Sequence, residues 1–353
     1  MKEITPLSAS RIKTAQSCSW KYWATYKLKV PDAGNDGSSR GWICHLIFEL
    51  LGNPKHRDIY DEVILKDSIY LCEPIRRLVS YHAKKLNVND KDNLELINNM
   101  TLAGLHFDFF GGVGMNDPDE GISEQEFDIT VDEGQKLYRL RGFIDKLFLY
   151  EKESLAIIRD FKSSKQIFKG KELTDNLQDF LYTLAVKKLF PHFKKRQVEF
   201  LFLKFDLNSN GRVKMNDISE EELEGLEFHL TEIQKFIDNF DEETAQSNFA
   251  GAQGYPSDGT FGGPLMCGKD GFKISKGQPV LDKAGNPIVA YICPHRKPLD
   301  YYVLKDQSGK IIKSAFKDNK DSLVAKEGQT IELMEYGGCP YWNKPKVEID
   351  DFF

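Results

Sequence analysis

The stretch GFIDKLFLYEKESLAIIRDFK, Gly142–Lys162, decides the fold. Apolar residues in FIDKLFLY and LAIIRDF mark two β-strands, and the polar EKES between them marks a turn, so the stretch reads as a β-hairpin. Asp145 lies on the first strand and Asp160 near the end of the second, with Lys162 two residues on. Side chains alternate faces along a strand, which puts Asp160 and Lys162 on one side. Carboxylates converging with an ammonium at a strand end suit a hard cation such as Mg²⁺ beside a scissile phosphate, the lysine orienting water and offsetting charge on the phosphorane. The same Asp-x-Lys pair also fits a solvated strand edge.

Working outward, RGWICHLIFELL places Gly41 four residues before His45 on an amphipathic helix, with Glu49 one turn further on. A histidine there is either a hydrogen-bonded core residue or a metal ligand. Downstream, NLQDFLYTLAVKKLF puts Gln178 and Tyr182 one turn apart on another helix. Near the start, LSASRIKTAQSCSWKYWATY reads as a serine-capped helix over residues 8–29 that contains Cys18, with Trp20, Tyr22, Trp23 and Tyr26 as core aromatics.

In this order and spacing, these pieces resemble the PD-(D/E)xK nuclease superfamily, and within it the RecB-like and AddB-like exonuclease branch, over roughly residues 7–207. The resemblance implies an α/β, restriction-endonuclease-like core in which helices flank a mixed sheet. It implies Mg²⁺ or Mn²⁺ held by His45, Asp145 and Asp160, with the backbone carbonyl after Asp160 as a further ligand and Lys162 as the catalytic lysine. Gln178 and Tyr182 match the family's Gln-x-x-x-Tyr helix, which lines the DNA side of the site and belongs to the catalytic set. Glu126, in EQEFDITV, matches an acidic residue ahead of the hairpin. A histidine ligand goes with exonucleases in this family, so end-dependent cutting of DNA is expected, in recombination, repair or phage DNA processing. A DNA-end-binding scaffold with the same fold, and an RNA-directed nuclease, are the alternatives; the intact Asp145, Asp160 and Lys162 argue against the scaffold. No phosphate-binding glycine loop is present, so unwinding falls to a helicase partner. A recombinase or a single-strand-binding protein is a further candidate partner.

The remaining chain orders itself around that core. Residues 1–55 carry the Cys18 and His45 helices. Residues 56–120 have helical periodicity, in IRRLVSYHAKKL and LELINNMTLAGLHFDFF, and form a helical insertion; GGVGMNDPDEG then reads as a loop. Residues 121–240 hold the nuclease core: EQEFDITV, the hairpin, a helix over about 174–190, the buried strand VEFLFLKFDL and an acidic amphipathic helix over 219–240. DLNSNGRVKMND, residues 206–217, superficially matches a calcium loop through Asp206, Asn208, Asn210 and Gly211, but its flanks are strands and its last position is Asp. Its Asn-Gly therefore reads as a two-residue hairpin turn.

Residues 241–353 form a C-terminal segment built on cysteines and packing back on the N-terminus. Cys44 and Cys72 fall within helical apolar patterns and read as buried thiols. Cys267 in PLMCGKDG, Cys293 in ICPHRKP and Cys339 in YGGCPYW stand beside Gly or Pro in turn contexts, where backbone N–H groups can point at thiolates. In an intracellular protein disulfides are not expected, which leaves metal ligation, favoured by these turn contexts, with inert burial and no metal as the alternative. In the AddB-like branch, one cysteine ahead of the core and three after it hold a 4Fe-4S cluster, and Cys18 matches the first of these. The spacing departs from the family: 25 residues separate Cys267 from Cys293 and 45 separate Cys293 from Cys339. The intervening PVLDKAGNPIVAYI and DYYVLKDQSGKIIKSAF read as β-hairpins, which also suit a structural Zn²⁺ with His295 as a substitute ligand. Either metal would staple distant segments together. The tail VEIDDFF is acidic and Phe-ended, like the tips of single-strand-binding proteins, and also fits a frayed terminus.

With 353 residues, 41% of them hydrophobic, the chain can bury a substantial core. It has no run of eighteen apolar residues and no secretory layout at its start, so no membrane association and a cytoplasmic location, the host cytoplasm for a phage protein, are expected. A net charge of -6 means that nucleic acid must be met by a local basic face. Lys162, Lys165, Lys169 and Lys171, then Lys187, Lys188, Lys194, Lys195 and Arg196, are its candidates.

Overall fold

The computed structural model describes residues 4–112, 116–252, 267–268, 271–282 and 285–343. In chain order its helices begin with α1 (Ala9–Ser17), α2 (Ser19–Tyr22), α3 (Asp36–Gly52), α4 (Arg57–Lys66), α5 (Glu73–Lys85) and α6 (Lys91–His106). Strands β1 (Glu120–Glu133), β2 (Lys136–Tyr150) and β3 (Leu155–Lys162) follow, then α7 (Leu177–Leu189), β4 (Lys195–Phe202), β5 (Arg212–Lys214) and α8 (Glu220–Asp238). After α9 (Glu242–Ala245) come the short β6 (Ile274–Ser275) and β7 (Gln278–Pro279), then β8 (Leu299–Lys305), β9 (Ile311–Phe316) and β10 (Thr330–Tyr336). Two compact units result: Met1–Ala9 with Gly34–Lys235, and Ser10–Ala33 with Phe236–Phe353. Among the described residues no helix is long and apolar enough to cross a membrane.

The first unit is an α/β layer structure around a five-stranded mixed sheet of order β1-β2-β3-β4-β5. The hairpin read from the sequence is its centre: β2 and β3 pair antiparallel, while β3 and β4 run parallel. Parallel neighbours require a crossover, and α7 is that crossover. The helices of the insertion are present as α4–α6, and their apolar stripes (Val63; Ile75, Val79, Ala83; Ile97, Met100) close one core with Ile43, Ile47 and Phe48 of α3 and Phe161 of β3. α8 packs against the start of β2, where Glu227, nearly inaccessible, accepts from the Tyr138 hydroxyl at 2.6 Å. Arg159 of β3 lies fully buried between Glu199 Oε1 at 2.6 Å and Asp108 Oδ2 at 3.1 Å. Such a charge is tolerated inside only because its donors are matched by acceptors.

The Asn-Gly reading is corrected. β4 ends at Phe202 and β5 begins at Arg212, so the two are joined by residues 203–211 and not by a two-residue turn. Asp206 takes over the connection: its side chain accepts from Asn208 N at 2.9 Å and its carbonyl from Gly211 N at 2.7 Å. An Asp side chain that bonds its own following backbone competes with the hairpin turn.

In the second unit the single helix expected over residues 8–29 is broken at Cys18. This residue is extended (φ -160, ψ 109) and caps α2, its sulfur accepting from Lys21 N at 3.4 Å. Trp20 and Tyr22 are buried as expected. The hairpin read in DYYVLKDQSGKIIKSAF is β8–β9, completed by β10 into a three-stranded sheet of order β10-β8-β9. PVLDKAGNPIVAYI starts at Pro279, the last residue of the two-residue strand β7, and carries an isolated bridge from Leu281 to Pro287; Lys283 and Ala284 within it, and the tail VEIDDFF, lie outside the described residues. Cys44 and Cys72, both in the first unit, are buried.

Candidate functional site

At the C-terminal end of β3 the hairpin carboxylates meet helix side chains in one hydrogen-bonded network. The Gln178 side-chain amide donates to Asp160 Oδ1 at 2.7 Å and Tyr182 donates to the same oxygen at 3.0 Å. Lys162 Nζ donates to Gln178 Oε1 at 2.7 Å and lies 2.8 Å from Asp160 Oδ2. Oδ2 is buried and accepts no well-aligned hydrogen bond among the described residues. Gln178 and Tyr182 thus act directly on Asp160, from the first turns of α7, whose N-cap Asn176 fixes where that helix starts.

Asp145 is oriented from two sides: Oδ2 accepts from Phe161 N at 2.7 Å, and Oδ1 stands 3.3 Å from His45 Nδ1. His45 Nε2 lies 3.1 Å from the Phe161 carbonyl, the backbone group after Asp160. Burial alone would depress the imidazole, but Asp145, and then Asp160 and Glu124, outweigh it and hold the pKa up at about 9. Gly41 brings α3 this close: a β-carbon there would stand 2.6 Å from Ser163 Oγ, just past Lys162.

Glu124 of β1, and not Glu126, completes the acidic group. Among the described residues, the ligand atoms of His45, Glu124 and Asp145 all lie within 4.8 Å of one another. Glu126 is exposed and pairs with Arg141 at 2.9 Å. Glu124 is held at φ +51, a left-handed backbone that costs a non-glycine residue free energy. Burial first, then the charge of Asp145, raises its carboxyl to about 7. Burial also raises Asp160, against the opposing pull of Lys162. Clustered carboxylates pushed toward neutrality by burial are relieved by a bound cation. A set of hard oxygens plus one imidazole fits Mg²⁺ or Mn²⁺.

The family model described as the PD-(D/E)XK nuclease superfamily matches residues 6–253. The chain belongs to this superfamily. No curated protein sequence matches it. Among solved structures, that of SSO0001 is similar at 12% sequence identity, covering 54% of this chain and 90% of that one, with a TM-score of 0.24. Membership of the PD-(D/E)XK superfamily makes the chain a nuclease, and nucleases of this superfamily use divalent metals.

Of the expected basic face, the part over residues 187–196 lies toward the start of β3 and β4, the end away from Lys162, and is only partly open. Lys187 and Arg196 pair with Glu220, and Lys188 pairs with Glu227. Lys194 Nζ donates to the Pro191 carbonyl at 2.7 Å.

In the second unit, Cys18, Cys267, Cys293 and Cys339 line one pocket together with Trp20, His295 and Trp342. Every sulfur faces an N–H donor. Cys18 accepts from Lys21 N, as above. Burial raises the Cys293 thiol against the pull of the His295 backbone N–H. It raises Cys339 to about 11 against those of Tyr341 and Trp342. Cys267 is likewise raised, against the indole N–H of Trp342, which has no other partner among the described residues. His295 is buried; Nε2 lies 3.0 Å from Thr25 Oγ1, and Nδ1 is a second buried nitrogen without a partner among the described residues. Buried and half-buried thiols that face N–H donors fit a thiolate-bound metal, since those donors stabilise a charged sulfur far more than a neutral one.

Proposed function

We propose that the chain is an end-dependent deoxyribonuclease of the RecB-like and AddB-like branch, acting on DNA in recombination, repair or phage DNA processing. The observation that carries this reading is the joined network in which Lys162, Gln178 and Tyr182 fix Asp160 beside Asp145 and His45. Mg²⁺ or Mn²⁺ held by His45, Asp145 and Asp160, with Glu124 as a further carboxylate, would supply positive charge at the scissile phosphate and make its water more acidic. Gln178 and Tyr182 occupy Oδ1 of Asp160 and so leave Oδ2 as its ligand atom. Lys162 Nζ stands 2.8 Å from that oxygen, where it would offset charge building on the phosphate. The His45 contact to the Phe161 carbonyl holds that oxygen at the edge of the same site.

Degradation of end-labelled single- and double-stranded linear DNA, beside a closed circle, tests the assignment for the unaltered chain and for Asp160→Ala with Mg²⁺ or Mn²⁺. Shortening of the linear DNA alone, lost in the variant, is the expected result. Cutting of the circle would overturn end-dependence. Binding without cutting would replace the enzyme by a scaffold of the same fold, and preference for RNA would replace DNA as substrate.

The four-cysteine pocket is read as a 4Fe-4S site, with Zn²⁺ as the alternative; its support is the ring of N–H donors around Cys18, Cys267, Cys293 and Cys339. A brown protein absorbing near ~400 nm with iron and acid-labile sulfide is expected. A colourless protein with stoichiometric zinc would decide for the other metal.

A further inference from the structure

One turn before His45 on α3, Trp42 is 49% exposed, on the face of that helix that the core residues Ile43, Ile47 and Phe48 do not occupy. Residues three apart on a helix are neighbours, so the indole borders the metal site. His82 of α5 stands beside it with ring centroids 4.9 Å apart at 67°, and Tyr81, 63% exposed, meets His82 at 4.9 Å and 87°. The three rings form a continuous aromatic surface reaching from α3 onto α5. The exposed side of α5 is basic: Arg77, Tyr81, Lys84 and Lys85 fall at i, i+4, i+7 and i+8, on one stripe. Over its length this helix carries the bases Arg76, Arg77, Lys84 and Lys85 against the single acid Glu73, with which both arginines pair, Arg77 Nε at 2.6 Å, so Lys84 and Lys85 carry most of the stripe's uncompensated charge. In a chain of net charge -6, such a stripe beside an acidic metal cluster is the complement of a polyanion.

Large apolar rings are costly to leave in water unless something covers them. A protein partner would be met by an apolar patch with a polar rim. Here rings alternate with lysines and arginine, the pattern that stacks bases while tracking phosphates. A duplex keeps its bases stacked inside and cannot use exposed rings; a single strand can.

We propose that Trp42 and Tyr81, with Arg77, Lys84 and Lys85, form a stacking and phosphate-tracking surface that delivers single-stranded DNA to the metal site. This rests on the nuclease reading above and adds strand preference to it.

The test is binding of a labelled oligothymidylate, its duplex and an oligouridylate to the full chain carrying Asp160→Asn, which blocks cutting. Trp42→Ala and Tyr81→Ala should each weaken oligothymidylate binding by about 5- to 100-fold, the value of one base stack, and duplex binding by less than about 2-fold. Trp42→Phe should keep most of the affinity yet lose the tryptophan quenching that oligothymidylate produces. Alanine variants that bind like their parent, a Phe variant as weak as Ala, or equal losses on duplex would overturn the surface. Tighter binding of oligouridylate would overturn its assignment to DNA. If the unaltered chain neither binds nor cuts any nucleic acid, the nuclease reading falls and takes this one with it. If it cuts while Trp42→Ala and Tyr81→Ala bind unchanged, this inference alone fails.

Discussion

Gln178 holds Asp160 by a single oxygen: its amide nitrogen donates to Oδ1 at 2.7 Å while its own oxygen accepts from Lys162 at 2.7 Å. One side chain therefore fixes both the carboxylate and the ammonium, and it does so from a helix whose start is set by Asn176. Gln178→Ala should lower kcat and weaken the apparent Mn²⁺ affinity, each by roughly 10- to 100-fold, the usual cost of losing a group that orients a metal ligand. Tyr182→Phe removes one of two donors to Oδ1 and should lose less, on the order of 10-fold. Turnover measured against Mn²⁺ concentration separates the effects; a change in KM for DNA alone would mean that these residues face substrate instead.

The acidic cluster gives a pH dependence for metal binding. A cation needs neutral imidazole and ionised carboxylate, and here His45 is held up at about 9 and Glu124 at about 7. Between pH 6 and 9 metal must therefore displace protons, and the Mn²⁺ titration midpoint should fall steadily as pH rises. Glu124→Gln should flatten the lower part of that dependence and weaken Mn²⁺ binding about 10-fold or more. Glu126→Gln, altering only an exposed pair with Arg141, should leave the titration unchanged. Isothermal titration at several pH values reads both, and equal effects from the two variants would remove Glu124 from the site.

Glu124 was within reach of the sequence. β1 and β2 are joined by a tight turn at Gly134, φ +61, which pairs Glu133 with Lys136. Carrying that register back puts position 124 opposite Asp145, whereas 126 falls opposite Phe143. A motif match points to Glu126; counting from the turn points to Glu124, the acid that stands near His45 and Asp145, because register is fixed by turn geometry. The hairpin, the crossover helix and the insertion helices were legible because their periodicity is set by burial on one core. The break at Cys18 was not, since SAS caps a helix and no Gly or Pro interrupts residues 8–29. What overrides them is the thiol's own position at the cap of α2, which no local propensity reports.

The cysteines divide by surroundings. If the pocket holds a metal as proposed, Cys267→Ser should remove the chromophore or bound metal and lower the thermal midpoint of the full chain, because it takes one thiol from the pocket shared with Cys18, Cys293 and Cys339. Cys72→Ala should leave metal content intact, since Cys72 lies in the apolar core of the first unit. Trp342→Phe keeps an aromatic ring, smaller than the indole, but removes the N–H that acts on Cys267, and should make any metal held there easier to lose to a chelator. Metal analysis after dialysis against chelator compares the three; equal retention by Cys267→Ser and Cys72→Ala would mean that the pocket binds no metal.

Lys146 is a charge the fold holds at a cost. It is 2% exposed on β2, its Nζ 4.0 Å from the Phe109 ring centroid and 5.3 Å from that of Phe110, and it has no carboxylate partner within ion-pair distance among the described residues. Burial, with Arg159 adding repulsion, lowers its pKa to about 7. Between pH 7 and 10.5 the unfolded chain binds a proton that the folded chain does not, so this residue's contribution to stability rises with pH across that window. Below pH 7 both forms are protonated and the full penalty stands. Lys146→Met, of similar length and without charge, should therefore stabilise the protein at pH 6, by on the order of a few kcal/mol at most. The gain should shrink as pH approaches 10. Urea midpoints of the two proteins across that range measure the difference directly. A gain that does not change with pH would locate the effect in packing against Phe109 and Phe110 and not in the buried ammonium.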